Sequence, residues 1–307
     1  MLQECSFTHL TRSDVQDALV TYRGRMRIVS LLPAATDFVA TLGLLPSLTG
    51  RTHECDWPPG ALDDVPVVTS SAIDHDVLSS REISAAVGGE HRGSGLYSLD
   101  SALLAAAEPD VVLTQDLCDV CAISYRQVSE TVRAMEGDTR VVSLEPRTLE
   151  GIFTCLTTLG EVLGVPERAA AETRRLQERL AAVRARVAGR PRPRVAAIEW
   201  LDPLWPAGHW VPEQIEAAGG TPLLADAGEH TRPITWDAVV EARPDILLLI
   251  PCGFPPERTE AELPLLTGLP GWDDIPAVHI LDGPAYFNRP GPRVVDGAEL
   301  LADILHG

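Results

Sequence analysis

The spacing with the most direct chemical meaning in this sequence is Cys118-Asp-Val-Cys121. Two thiols so placed suit a metal ion, a redox pair, or the first turn of a helix, where the dipole lowers a thiol pKa. No second CxxC follows, so a four-ligand site would recruit distant soft donors, and Cys252, Cys55, His53 and His209 are available. Cys118, Cys121 and Cys252 are the metal candidates, with zinc or iron as the ion. Structural thiols packed in a tight loop are the plainer alternative. His53, Glu54 and Cys55 place an imidazole, a carboxylate and a thiol in a row. Glu54 there could act as a general base, or simply be a solvated loop carboxylate.

A denser group lies between Glu199 and Glu213. Trp200, Trp205 and Trp210 hold three of the six tryptophans in one crossing, with Glu199, His209 and Glu213 beside them. Such rings offer flat apolar faces with polar edges, which suits a planar or macrocyclic ligand and predicts an exposed crossing. His209 is a candidate axial metal ligand; a histidine capped near a helix start is the commoner case. Tyr286, Asn288 and Arg289 add an aromatic face and a guanidinium that can fork onto a carboxylate or phosphate, or pair with Asp282 as scaffold. The candidate ligand-binding set is thus His53, Glu54, Cys55, Glu199, Trp200, His209, Trp210, Glu213, Tyr286, Asn288 and Arg289. No GxSxG, HExxH, Walker or GxGxxG pattern occurs, and catalytic residues stay unassigned.

An alternating α/β chain has to position these groups. Short apolar, β-branched runs predict strands at RIVSLL from Arg27, at 48–52, in PDVVLTQ and in TRVVSL, then at 194–199, 246–250 and 278–281. Helices are expected over 36–44, 99–107, 212–218, 236–242 and 295–305, with a polar loop running to about Gly95. Residues 149–187 have helical apolar spacing with a break at Gly164-Val165-Pro166. The predicted organisation is an extension at 1–25, an α/β lobe at 26–148, bridging helices at 149–190 and a second α/β lobe at 191–307. Ligands of open α/β sheets bind beyond the carboxyl ends of the strands. Most of the unusual residues follow predicted strands, so they should share one edge.

A chain of 307 residues has the length of two ordinary domains. Its 44 acidic against 25 basic residues leave a net charge of −19, which disfavours nucleic acid as a partner. MLQECSFTHLTRSDVQDALVTYRGR lacks the apolar run of an export signal, and the stretch 28–45 is interrupted by Pro33 and Asp37. The expectation is a cytoplasmic protein without membrane insertion, in a reducing compartment that keeps its cysteines as thiols or metal ligands.

RIVSLLPAATD, PDVVLTQDLC, the long helix, RVAAIEWLDPLW, GHWVPEQIEAAGG, ARPDILLLIPCG and YFNRPGPR resemble the helix-linked substrate-binding proteins of ABC importers for vitamin B12 and iron chelates. The likeness runs from about Arg27 to the C-terminus. THECDWP, DLCDVCA, EWLDPLW, GHWVPE and NRPGPR are similar to the cobalamin-binding, BtuF-like branch. The resemblance implies two Rossmann-like lobes joined by a long bridging helix, the class III periplasmic-binding-protein arrangement, with the ligand clamped between the lobes. It also implies an ABC permease as partner and cobalamin or another corrinoid as ligand. The relatives are exported and do not need a cysteine-rich cleft, and in both respects this sequence departs from them. The first expected function is binding of a corrinoid or related metal chelate as small-molecule ligand. The alternative is a cytoplasmic enzyme on the same fold, using a Cys/His-lined cleft for metal or thiol chemistry.

Overall fold

The computed structural model describes residues 26–74, 77–87, 97–115, 128, 130–132 and 138–307. In chain order the elements are β1 (Ile28–Ser30), α1 (Pro33–Thr41), β2 (Leu48–Arg51), β3 (Thr69–Ser71), α2 (Ser80–Val87), β4 (Tyr97–Leu99), α3 (Ser101–Ala106), β5 (Val111–Thr114), β6 (Arg140–Ser143), α4 (Leu149–Val162) and α5 (Pro166–Val187). They continue with β7 (Arg194–Leu201), β8 (Leu204–Pro206), α6 (Val211–Ala217), β9 (Thr221–Leu223), α7 (Trp236–Ala242), β10 (Ile246–Leu249), α8 (Pro256–Glu262), α9 (Pro264–Thr267), β11 (Ala277–Ile280), α10 (Gly283–Tyr286) and α11 (Val294–His306).

The chain divides into two compact units. The first comprises Met1–Ile73, Val87–Pro146 and Glu150–Arg174; the second comprises Asp74–Ala86, Arg147–Leu149 and Arg175–Gly307. The first unit is built on a parallel sheet of order β2-β1-β5-β6. In the second, β9, β10 and β11 belong to a parallel arrangement around β7, and β8 folds back antiparallel on β7. β5 (VVLT) and β10 (ILLL) are buried along their whole length. That is what a continuous apolar run achieves in a parallel sheet covered on both faces. Val29, Leu31, Val112 and Leu104 lie in the core of the first unit, and Ile198, Leu247, Leu249 and Val239 in that of the second.

Proline and glycine punctuate the helices, and the first of them starts at Pro33, three residues before the expected start at 36. Pro33 stands in the first turn of α1, where its missing N–H removes no helical bond. Gly164, at φ +73°, ends the segment after α4, and Pro166 opens α5. Gly160 of α4 faces Ala169 of α5 so closely that a side chain there would collide. The division between the units falls inside α5, between Arg174 and Arg175. Beyond it, Arg179 bonds Glu299 at 2.9 Å and Asp296 at 2.5 Å on α11, and these carboxylates raise its guanidinium pKa. Among the described residues no helix is long and apolar enough to cross a membrane.

One expectation fails. The segment read as a polar loop to residue 95 contains β3, which pairs antiparallel with β4, and α2, which belongs to the second unit. α2 is held by groups far along the chain. Ser80 N donates to Glu262 Oε1 at 2.9 Å, Arg81 pairs with Asp202 at 2.7 Å, and the Trp200 indole donates to Ser84 Oγ at 2.8 Å. A helix of this length is marginal alone, and its stability comes from such tertiary partners.

Candidate functional site

In the first unit the carboxyl edge of the sheet is a network of hydroxyls around one imidazole and one thiol. His53 Nδ1 lies 2.7 Å from Thr69 Oγ1, which donates to Thr52 Oγ1 at 2.9 Å. His53 Nε2 lies 3.2 Å from Glu54 Oε1, and its ring meets Tyr97 at 5.4 Å between centroids. Cys55 is buried, with Sγ 2.9 Å from Thr36 Oγ1, which in turn donates to Ser30 Oγ at 2.8 Å. Arg51, at the end of β2, reaches forward to the Cys55 carbonyl at 3.1 Å.

In the second unit the same edge is richer. Cys252 N donates to Glu199 O at 2.9 Å, joining the segments after β10 and at the end of β7. Asn288 Nδ2 donates to Ile250 O at 3.1 Å, while its Oδ1 is buried without a hydrogen-bond partner. Gly283 is required beside it, since a Cβ there would stand 2.6 Å from Ile250 O and 2.7 Å from Pro251 O. Arg293 lies over the Tyr286 ring at 5.1 Å. Trp200 packs on Phe254 at 5.1 Å and remains half-buried. Glu199 and Trp200 thus lie in the last residues of β7, Cys252 follows β10, and Tyr286, Asn288 and Arg289 follow β11.

The tryptophan crossing is less exposed than expected. Trp200 and Trp205 are paired across β7 and β8, and Trp205 and Trp210 are 9% and 4% exposed. Trp210 donates its indole N–H to Phe287 O at 2.8 Å, so its polar edge is used inside the unit. Glu213 Oε2 accepts from Leu149 N at 2.5 Å within the second unit.

His209, directly before Trp210, is the most perturbed group of this edge. Its backbone is left-handed, φ +52°, an uncommon state for a residue with a Cβ. Its Nδ1 is buried with no hydrogen-bond partner, and Nε2 lies 3.4 Å from Nδ1 of His230. Burial first, then the neighbouring His230 and Arg147, lower its pKa from 6.5 to about 4. The unfolded chain therefore takes up a proton that the folded chain refuses between these values, so stability is lost as pH falls from 6.5 toward 4. The full shift is worth about 3 kcal/mol, and about half of that after solvent screening of a partly exposed ring. Urea titrations across this range should show the loss in the native chain and a flatter profile in His209→Asn. A profile unchanged by that substitution would assign the pH dependence to other groups.

Cys118 and Cys121 fall outside the described residues. Cys55 is buried and Cys252 half-buried. Among the described residues no group of three or more His, Cys, Asp or Glu is placed to hold a metal ion. Residue-type reasoning missed Thr69 and Thr36, which orient His53 and Cys55, and His230, which faces His209. Hydroxyls and a surface histidine carry no spacing signal; only the fold brings them in.

Residues 28–279 match the family model described as Periplasmic binding protein. No curated protein matches the sequence. The heme-binding protein RhuT from Roseiflexus sp. RS-1, in apo form, superposes with TM-score 0.69 at 22% identity, covering 92% of this chain and 98% of that one. A possible iron-binding, periplasmic solute-binding protein from Staphylococcus epidermidis ATCC 12228 gives 0.68 at 16%, covering 92% and 98%. The vitamin B12 binding protein BtuF of Vibrio cholerae gives 0.64 at 18%, covering 91% and 96%. At these identities the likeness to solved structures establishes the fold: α/β, with two parallel-sheet lobes.

Proposed function

The chain belongs to the periplasmic binding protein family, and from that premise we propose that it is a substrate-binding protein for a planar or macrocyclic metal chelate, a corrinoid in the first instance. The reading includes delivery of that ligand to an ABC permease, the partnership that this kind of protein serves. The observation that carries the proposal is the edge of the second unit. Half-buried Trp200 and Tyr286 offer ring faces there, Arg289 and Arg293 offer cationic forks, and His209 offers an imidazole held neutral at physiological pH by its surroundings. Corrinoids and hemes carry a flat conjugated body, peripheral carboxylate or amide groups and a metal with open axial positions. Rings, guanidiniums and a neutral imidazole answer those three features in turn. The similar structures include a heme-binding protein, a possible iron-binding protein and a vitamin B12 binding protein. That supports the ligand class, and the choice of a corrinoid within it rests on the sequence resemblance.

Thermal unfolding tests the class as a whole. A ligand present at 100 times its Kd stabilises the native chain by about 2.7 kcal/mol, enough to raise Tm by about 5 °C in a protein of this size. Hydroxocobalamin, hemin and a ferric siderophore should be compared at matched concentration, with the metal-free macrocycle as control. The expected result is a rise with one of the three and none with the control. No rise with any of them at about 100 µM would remove metal chelates as the ligand class.

A further inference from the structure

His209, whose imidazole the proposed function offers to a chelate's metal, faces a second imidazole from a separate loop, His230, which that function leaves unused. His209 Nε2 and His230 Nδ1 are 3.4 Å apart, with ring centroids at 5.5 Å and planes inclined by 37°. As an N–H···N hydrogen bond this separation is at the weak end of the range. As a pair of metal ligands it is close to ideal. Two nitrogens each 2.0–2.1 Å from a tetrahedral ion lie about 3.4 Å apart, whereas adjacent positions of a square-planar ion bring them to about 2.9 Å.

The separation is fixed by backbone rather than by the rings. His209 N donates to Glu229 O at 2.9 Å, and Gly228 N donates to His209 O at 2.7 Å, so the two loops are stitched on both sides of the histidine pair. Gly208 lets them approach: a Cβ there would stand 2.7 Å from Glu229 O and 2.8 Å from the Thr231 methyl. The left-handed backbone of His209 is part of the same clasp. Ligands held this way lose little freedom on binding, which is the condition for a small site to be selective.

We propose that His209 and His230 form a two-imidazole site for a tetrahedral divalent ion, zinc above all, with the remaining positions filled by water. Binding uses the tautomer of His209 with its proton on Nδ1, leaving Nε2 free to coordinate, and His230 keeps its second nitrogen toward solvent. Arg147 opposes a cation here, as its positive charge is already felt at His209. The overall charge of −19 works the other way, raising the local concentration of cations. The inference does not depend on the chelate-binding reading, since the metal ion alone is the ligand.

Calorimetric titration of the full chain with zinc chloride tests it, in a Cys118→Ser, Cys121→Ser background that removes the competing thiols. One zinc per chain should bind, and His230→Ala and His209→Asn should each weaken binding at least tenfold. His230 is exposed, so its replacement leaves the fold intact, and asparagine tolerates the left-handed backbone at 209. Cobalt(II) in the same background should give the intense visible bands of a tetrahedral ion, lost in both variants. No zinc binding, or binding within twofold of the background in both variants, would overturn the site.

Discussion

Trp210→Ala should lower the unfolding free energy of the second unit by about 3–5 kcal/mol, the range for removing a fully enclosed aromatic side chain. The indole is 4% exposed and its N–H is spent on Phe287 O. Deletion therefore opens a cavity and also leaves a buried carbonyl without its donor. The substitution separates two roles that the sequence alone leaves mixed. A tryptophan lining a ligand site would cost affinity on replacement and little stability; a core tryptophan costs stability. Circular dichroism during urea unfolding reads the difference, and a loss below about 1 kcal/mol would return Trp210 to the surface role.

Glu262→Ala should be the next most damaging change. Glu262 is 7% exposed and accepts from both Arg258 Nη2 at 2.7 Å and Ser80 N at 2.9 Å. Arg258 is anchored further by the Leu78 carbonyl and lies over the Phe254 ring. Removing the carboxylate strands a largely enclosed guanidinium and the first N–H of α2, at a loss of about 3 kcal/mol. Glu262→Gln keeps an acceptor and should lose about half as much. The loss should be local first: amide exchange over 80–86 should accelerate well before the β7 and β10 strands respond. Uniform acceleration across the second unit would mean that α2 is not a separate piece docked by this pair.

What was legible in the sequence follows a physical line. β5 and β10 are unbroken apolar runs, α7 begins and ends at the predicted residues, and Pro166 opens α5 where the break was read. These features are written in local patterns. α2 was not legible, because its capping carboxylate lies 182 positions away. β8 was missed because it is only Leu204–Pro206 and is defined by its pairing with β7.

The site shows the same division. Among the described residues, His53, Glu54 and Cys55 follow β2 and Cys252 follows β10, while Cys118 and Cys121 lie outside them. Whether a given ring faces ligand or core could not be read, since Trp200 and Trp210 have the same chemistry and differ in whether an acceptor such as Phe287 O waits inside. His230 gave no signal at all; two loop hydrogen bonds make it a partner of His209.

Binding of one planar metal chelate per chain, as proposed, has a direct spectroscopic signature. Titration with hydroxocobalamin and, separately, hemin, followed by visible absorbance at micromolar protein, addresses it most directly. One saturable transition at one ligand per chain, with shifted metal-centred bands, is expected with at least one of them. Flat difference spectra with both, and no heat of binding in the same concentration range, would contradict it.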